Sequence, residues 1–479
     1  MIRLGTSTGR WIIAATVLGS GVAFLDATVV NVALPSIGRD LHTGVAGLQW
    51  VIDAYLVTLT SLVLLGGALG DRFGRKRVFV AGVIAFTAAS AVAAAAPNVT
   101  ALAIARAAQG VGGALLVPGS LAIIGASFLE ADRARAIGAW SGLGGVASAL
   151  GPFIGGWLIA AASWRLVFLI NVPIAAVTVV IALRHVPESR AATEHKIDVP
   201  GAVLASIGLG ALCWALIRSA QGFGGPEAFA ALVGGAALVA FFAVEARRAH
   251  PMLPLGIFRS RQFSGANGTT LAVYAALGAA MFLIVLELQI ALHYSPVAAG
   301  ASLLPITLLM LLLSARFGAL AQRVGARVPM TVGPLLVGAS MLLFTRVQPG
   351  AHYVSVVLPA ALLFGLGLAV TVAPLTATVL AAVGPDELGV ASGVNNAVAR
   401  LAGLLAVAVL PALTRLDTSL PAGAFTSRVA TAMRICAVLA AAGGVVAFAT
   451  VRTQRKVVVT TQASVIQPCH DPCVASAAG

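Results

Sequence analysis

Residues 45–96 read VAGLQWVIDAYLVTLTSLVLLGGALG, then DRFGRKR, then VFVAGVIAFTAASAVAAAA. Two long apolar runs flank a short segment that holds Asp71, Arg72, Arg75, Lys76 and Arg77. A helix needs roughly 20 apolar residues to cross the hydrocarbon core of a bilayer. Backbone polar groups must be satisfied inside such a run, so in lipid it is a helix. Gly70 and Gly74 permit the tight reversal between two helices. The stretch therefore reads as a membrane hairpin with a charged turn in water.

The pattern continues in both directions. Apolar spans fall near 11–37, 45–68, 78–96, 100–127, 134–160 and 165–184, then near 199–218 and 228–244. A last set falls near 263–292, 297–320, 328–347, 353–378, 388–413 and 429–451. The reading is an all-α polytopic membrane protein with fourteen crossings. Polar stretches at 185–198 and 245–262 divide it. A six-helix bundle occupies 1–184, a linker with two additional spans occupies 185–262, and a second six-helix bundle occupies 263–452. Residues 453–479 form a polar tail expected to be disordered in the cytoplasm. The segment GALGDRFGRKR (67–77) has a weak echo in GALAQRVGAR (318–327), after the second span of each bundle. Parallel repeats of this kind build many secondary transporters, with the substrate site between the halves.

Composition agrees. The chain is 59% hydrophobic and only 10% charged, with a mean hydropathy of +0.99, whereas globular domains carry about 25% charged residues. The net charge of +14 raises the question of nucleic acid, and charge placement answers it. With the amino terminus inside, most Lys and Arg fall on the cytoplasmic side, while Arg39, Arg165, Arg218, Arg346, Arg415 and Arg428 fall outside. That asymmetry is the positive-inside rule, so the basicity encodes topology, with both termini cytoplasmic. The first span runs past leader length, contains Asp26 and leads into Pro35, so it reads as retained. Cys213 and Cys436 lie in apolar spans. Cys469 and Cys473 flank His470 and Asp471 in the tail, an incomplete zinc set. No metal or cofactor is expected.

Several segments together resemble the major facilitator superfamily, in its fourteen-helix drug:proton antiporter branch. They are LDATVVNVALP (25–35), GALGDRFGRKR (67–77), RAAQG (106–110), GPFIGG (151–156) and ASGVNN (391–396) with Arg400. The resemblance covers nearly the whole chain except its last thirty or so residues. It implies a bacterial plasma-membrane exporter of drugs, antibiotics or lipophilic cations, working as a monomer by alternating access. It also implies a cytoplasmic gating latch at Gly70, Asp71, Arg72, Gly74, Arg75 and Lys76. Glu130, Asp132 and the start of span thirteen are the expected partners of that latch. Gly142, Gly151, Pro152, Gly155 and Gly156 match the motif that marks exporters. Pro152 removes a helical hydrogen bond, and the glycines allow a neighbouring helix to approach closely. The second loop copy departs from the first, with Gln322 where Asp71 stands.

Ionisable residues inside spans are expensive, so each is a functional candidate. Asp26, Asp53, Arg106 and Glu287 stand out. At ~1.5 Å rise per residue they lie ~8–13 Å below the outer face, a common depth. A carboxylate held away from water binds a proton more readily, and a cationic substrate stabilises its ionised form. Proton and substrate then compete, which yields antiport. Asp26, in the span-one motif, is the expected proton carrier, with Arg106 tuning it and Glu287 a further candidate. A static Asp26–Arg106 pair is the structural alternative. Asp53 is the expected site for positive charge on a substrate, since some cation exporters of the branch have an acid there. Asn31, Tyr55 and Glu287 complete the expected substrate contacts, although Glu287 replaces a residue usually neutral in the branch. No Gly-x-x-x-x-Gly-Lys-Ser/Thr occurs, so nothing points to ATP. The competing readings are an importer of the same superfamily and, in a different class, a membrane-embedded enzyme. The histidines at span ends and in loops show no metal-ligand spacing.

Overall fold

The computed structural model describes residues 2–190, 198–219, 222, 224–248, 251, 253–383 and 388–452. The tail with Cys469 and Cys473 lies outside them, as do the side chains of Glu130 and Gln322 and the surroundings of Gly142. The helices of the first half are α1 (Ser7–Asp40), α2 (Val45–Phe73), α3 (Arg75–Ala94), α4 (Val99–Ser127), α5 (Glu130–Ala161), α6 (Leu166–Leu169) and α7 (Asn171–His185). Next come α8 (Val199–Ser219) and α9 (Gly225–Arg247). The second half holds α10 (Arg261–Ile290), α11 (Pro296–Ser302), α12 (Leu304–Val324), α13 (Arg327–Phe344), α14 (Leu358–Ala381), α15 (Leu388–Thr414) and α16 (Ala422–Thr450).

Among the described residues, thirteen helical segments are long and apolar enough to cross a membrane. The fourteenth expected span is α5, whose apolar part is Leu150–Ala161. Side chains cap several helix starts. Thr6 accepts from Gly9 N, Asn98 from Ala101 N and Ser295 from Ala298 N, each satisfying an N–H with no partner inside its helix. The span expected at 297–320 is two helices. Pro305, at the start of α12, has no N–H to bond the preceding turn, so the chain is re-set at Leu303.

Counting reversals from Ile2 puts both ends of the described chain on one side, the termini end. Ile2 pairs there with Phe128, at the close of α4. The other side is the far end. There the halves share one apolar core, which runs from Val29, Leu34 and Val51 to Phe282, Leu286, Ala299 and Leu410. Gln289 Nε2 donates to Val32 O (2.9 Å) and Gln49 Nε2 to Val407 O (2.6 Å) across the same seam. Towards the termini end the cores separate. Ile12, Phe79, Phe86 and Phe128 form one, and Phe263, Met330, Leu375 and Val394 another. The halves therefore meet at the far end and have separate cores at the termini end. Helices α8 and α9 pack on each other, and α8 lies against α2 and α15 through Val57, Leu209, Cys213 and Leu404.

Candidate functional site

Inside the first half, α1, α3, α4 and α7 bring polar side chains to one point, with α2 supplying a carbonyl. Asp26 and Arg106 are 1% and 2% exposed, and Arg106 Nη1 donates to Asp26 Oδ2 in a close ion pair. Arg106 also donates through Nε to Val51 O (2.9 Å) and through Nη1 to Gln109 Oε1 (3.1 Å). The other oxygen of Asp26 accepts from Gln109 Nε2 (3.3 Å) and Asn171 Nδ2 (3.4 Å). Both amides also donate to Ser90 Oγ, whose hydroxyl in turn donates to Phe168 O (2.9 Å). The Tyr55 ring lies 4.4 Å from the Arg106 guanidinium carbon.

This arrangement has a definite chemistry. Two opposite charges leave water together, and the network supplies the hydrogen bonds that make such a burial tolerable. A proton delivered to Asp26 would cancel one charge and leave Arg106 buried and uncompensated.

The other acids are elsewhere. Asp53 is fully buried, and neither of its oxygens has a hydrogen-bond partner among the described residues. It shares a face of α2 with Trp50 and Val57, which pack in the cluster formed with α8 and α15. Glu287 is 2% exposed on α10, two residues before the seam-bridging Gln289. Asn31 folds back, donating to Ala27 O (3.0 Å) on its own helix. The common depth read from the sequence thus does not make one cluster: Asp26, Arg106 and Tyr55 meet, while Asp53, Glu287 and Asn31 stand apart. Gln109, Asn171 and Ser90 were not expected. The one available signal was an amide or hydroxyl in an otherwise apolar run, as in Ile170-Asn171-Val172-Pro173.

The charged loop is ordered by its glycine. Gly74 has φ +112° and closes α2, its N–H bonding Gly70 O (3.0 Å). Asp71 pairs with Arg75 (2.7 Å) one turn on. The loop docks on the last turn of α7 and the chain after it. Lys76 N donates to Glu188 Oε1 (3.0 Å), Arg75 N to Ser189 O (2.9 Å) and Lys76 Nζ to Leu183 O (2.9 Å). Arg77 faces Glu188 at 3.7 Å, and Arg72 lies over Phe73. The expected partner Asp132 is instead engaged by Leu4 N (3.0 Å), because the amino-terminal segment crosses the end of α4. Glu188 takes its place.

On α5, Gly144, Gly151 and Gly155 lie against Phe24, Thr28 and Val29 of α1. A Cβ on Gly156 would come within 2.6 Å of Pro296 O in α11, and Gly300 of α11 sits on the Pro152 carbonyl. One helix therefore packs on α1 within its own half and on α11 across the seam.

The Major Facilitator Superfamily model matches residues 16–407. The chain is 35% identical over 429 residues to the methylenomycin A resistance protein of Bacillus subtilis, covering 88% of this chain and 90% of that one. It is 37% identical over 418 residues to the puromycin resistance protein of Streptomyces alboniger, covering 85% and 82%. It is 34% identical over 401 residues to a multidrug resistance protein of Mycobacterium tuberculosis, covering 83% and 74%. Among solved structures, a peptide transporter crystallised with sulfate superposes with a TM-score of 0.67 at 15% identity, covering 94% of this chain and 96% of that one, a likeness of fold. With most of its length matched by the family model and by relatives above 30% identity, the chain belongs to the Major Facilitator Superfamily.

Proposed function

We propose that this multi-pass membrane protein is a secondary transporter that exports small organic molecules in exchange for protons. Asp26 carries the reading: it is a buried carboxylate ion-paired to Arg106, inside one of two halves that share a core at the far end and have separate cores at the termini end. Relatives named for resistance to methylenomycin A, to puromycin and to multiple drugs give the substrate class and the outward direction. In this reading both termini are cytoplasmic, the conformation is open to the cytoplasm, and a monomer is the working unit. Asp26 takes the proton and Arg106 moves in response. Asp53, buried without a hydrogen-bond partner among the described residues, receives cationic charge, while Asn31, Tyr55 and Glu287 contribute to substrate contact. The loop at Gly70–Lys76 gates the cytoplasmic side.

The test is uptake of puromycin and of a lipophilic cation into inverted vesicles with an imposed, acid-inside gradient. Accumulation of at least one compound that collapses with a protonophore is expected. Accumulation that needs ATP and ignores the gradient would contradict the proposal.

A further inference from the structure

At the termini end of the second half, α10, α13 and α16 line an open cavity of about 270 Å³. Arg261, Arg327 and Arg452 line it with the chain from Phe448 to Val451. Among the described residues none of these arginines is paired with a carboxylate. Arg261 opens α10 and Arg327 opens α13, and each helix start adds partial positive charge to that end. Arg261 Nη2 donates to Ala449 O (3.2 Å), which holds one guanidinium against the last turn of α16. The Arg327 guanidinium lies 4.1 Å from the Phe448 ring centroid. Its Nε is buried and has no acceptor among the described residues. A charged donor left in this way is costly, so the wall is built for an acceptor that the described residues do not supply.

The surroundings indicate where that acceptor comes from. Val438, Val445 and Phe448 form an exposed apolar stripe on α16, at 68%, 63% and 56% exposure. Val328, next to Arg327, is exposed as well. In a membrane-spanning chain such a stripe faces acyl chains, and it leads directly to the three arginines. Helices of the first half do not line the cavity, which sets it apart from the seam between the halves. Basic pockets between helices at a membrane face suit anionic lipid headgroups, and the guanidinium fork matches phosphate oxygens.

We propose that this cavity binds the phosphate of an anionic phospholipid in the leaflet on the side of the termini. Arg261, Arg327 and Arg452 hold the phosphate, and an acyl chain lies along Val445 and Val438. Free phosphate shares the headgroup chemistry, so the experiment separates the two. Full-length protein in detergent is titrated with phosphatidylglycerol, with phosphatidylcholine and with inorganic phosphate, and binding is read by native mass spectrometry. Phosphatidylglycerol is expected to bind more tightly than phosphatidylcholine. Arg452→Gln, beyond the end of α16, and Arg327→Gln should each weaken phosphatidylglycerol by about fivefold. Arg327→Lys, which keeps the charge and loses the planar fork, should fall between wild type and Arg327→Gln. Arg346→Gln, at the far end, should change nothing. Equal binding of the two lipids, or wild-type affinity in both Arg327→Lys and Arg452→Gln, would overturn the proposal. So would displacement of phosphatidylglycerol by inorganic phosphate at matching concentration, which would assign the site to a soluble anion.

Discussion

Asp26 and Arg106 were legible in the sequence because a charge within an apolar run is rare and has few explanations. Their pairing was legible only as one alternative, since depth along a helix says nothing about rotation around it. Asp53 illustrates the limit: it shares the depth of Asp26, yet its face of α2 packs with α8 and α15. Asn171 and Ser90, and the role of Gln109 within RAAQG, were not legible, because uncharged polar residues are common in such helices and need a visible partner to acquire meaning. The pair makes a sharp energetic prediction. Breaking a buried ion pair by removing one partner costs about 3–5 kcal/mol, whereas removing both charges costs far less. Asp26→Asn and Arg106→Gln should each lower thermal stability in detergent. The double variant should recover part of the loss, giving a coupling of about 1–3 kcal/mol. Additive losses would mean that the two charges do not sense each other.

At the scale of elements, the helical spans follow from hydropathy and length, and the divisions that hydropathy missed have local causes such as Pro305 before the body of α12. The partner of the charged loop was not legible. Glu188 lies over a hundred residues beyond Lys76, and only the packing of α7 against α1 and α3 brings it there. A role in gating predicts that Asp71→Asn, Arg75→Ala and Glu188→Gln each reduce transport at equal expression while substrate binding persists. Wild-type turnover in all three would leave the loop with topology alone. Helix α5 carries a separate prediction. Gly156→Leu would force α5 and α11 apart, given the 2.6 Å between a Cβ at that position and Pro296 O. The far end should then open, and a cysteine at Ser36 should be labelled several-fold faster from that side than in the parent. Unchanged labelling would mean that the seam does not depend on this contact.

For the whole molecule, a core shared at the far end and divided at the termini end fits the proposed reading, in which exchange proceeds from the termini side in this conformation. In the proposed orientation the bias of Lys and Arg towards that side places it in the cytoplasm. A cysteine at Gly5 should therefore react with an impermeant reagent in inverted vesicles and stay protected in intact cells. The reverse would invert the layout and the direction of transport. Coupling is the property on which the account stands, and proteoliposomes holding purified Asp26→Asn protein test it most directly. The asparagine imitates the protonated acid. It should allow exchange of substrate across the membrane and abolish both accumulation driven by a proton gradient and proton release on substrate binding. Asp26→Asn/Arg106→Gln, which removes the stranded charge, should behave the same way and so separate coupling from folding. Gradient-driven accumulation at the wild-type level by well-folded Asp26→Asn protein would contradict the account.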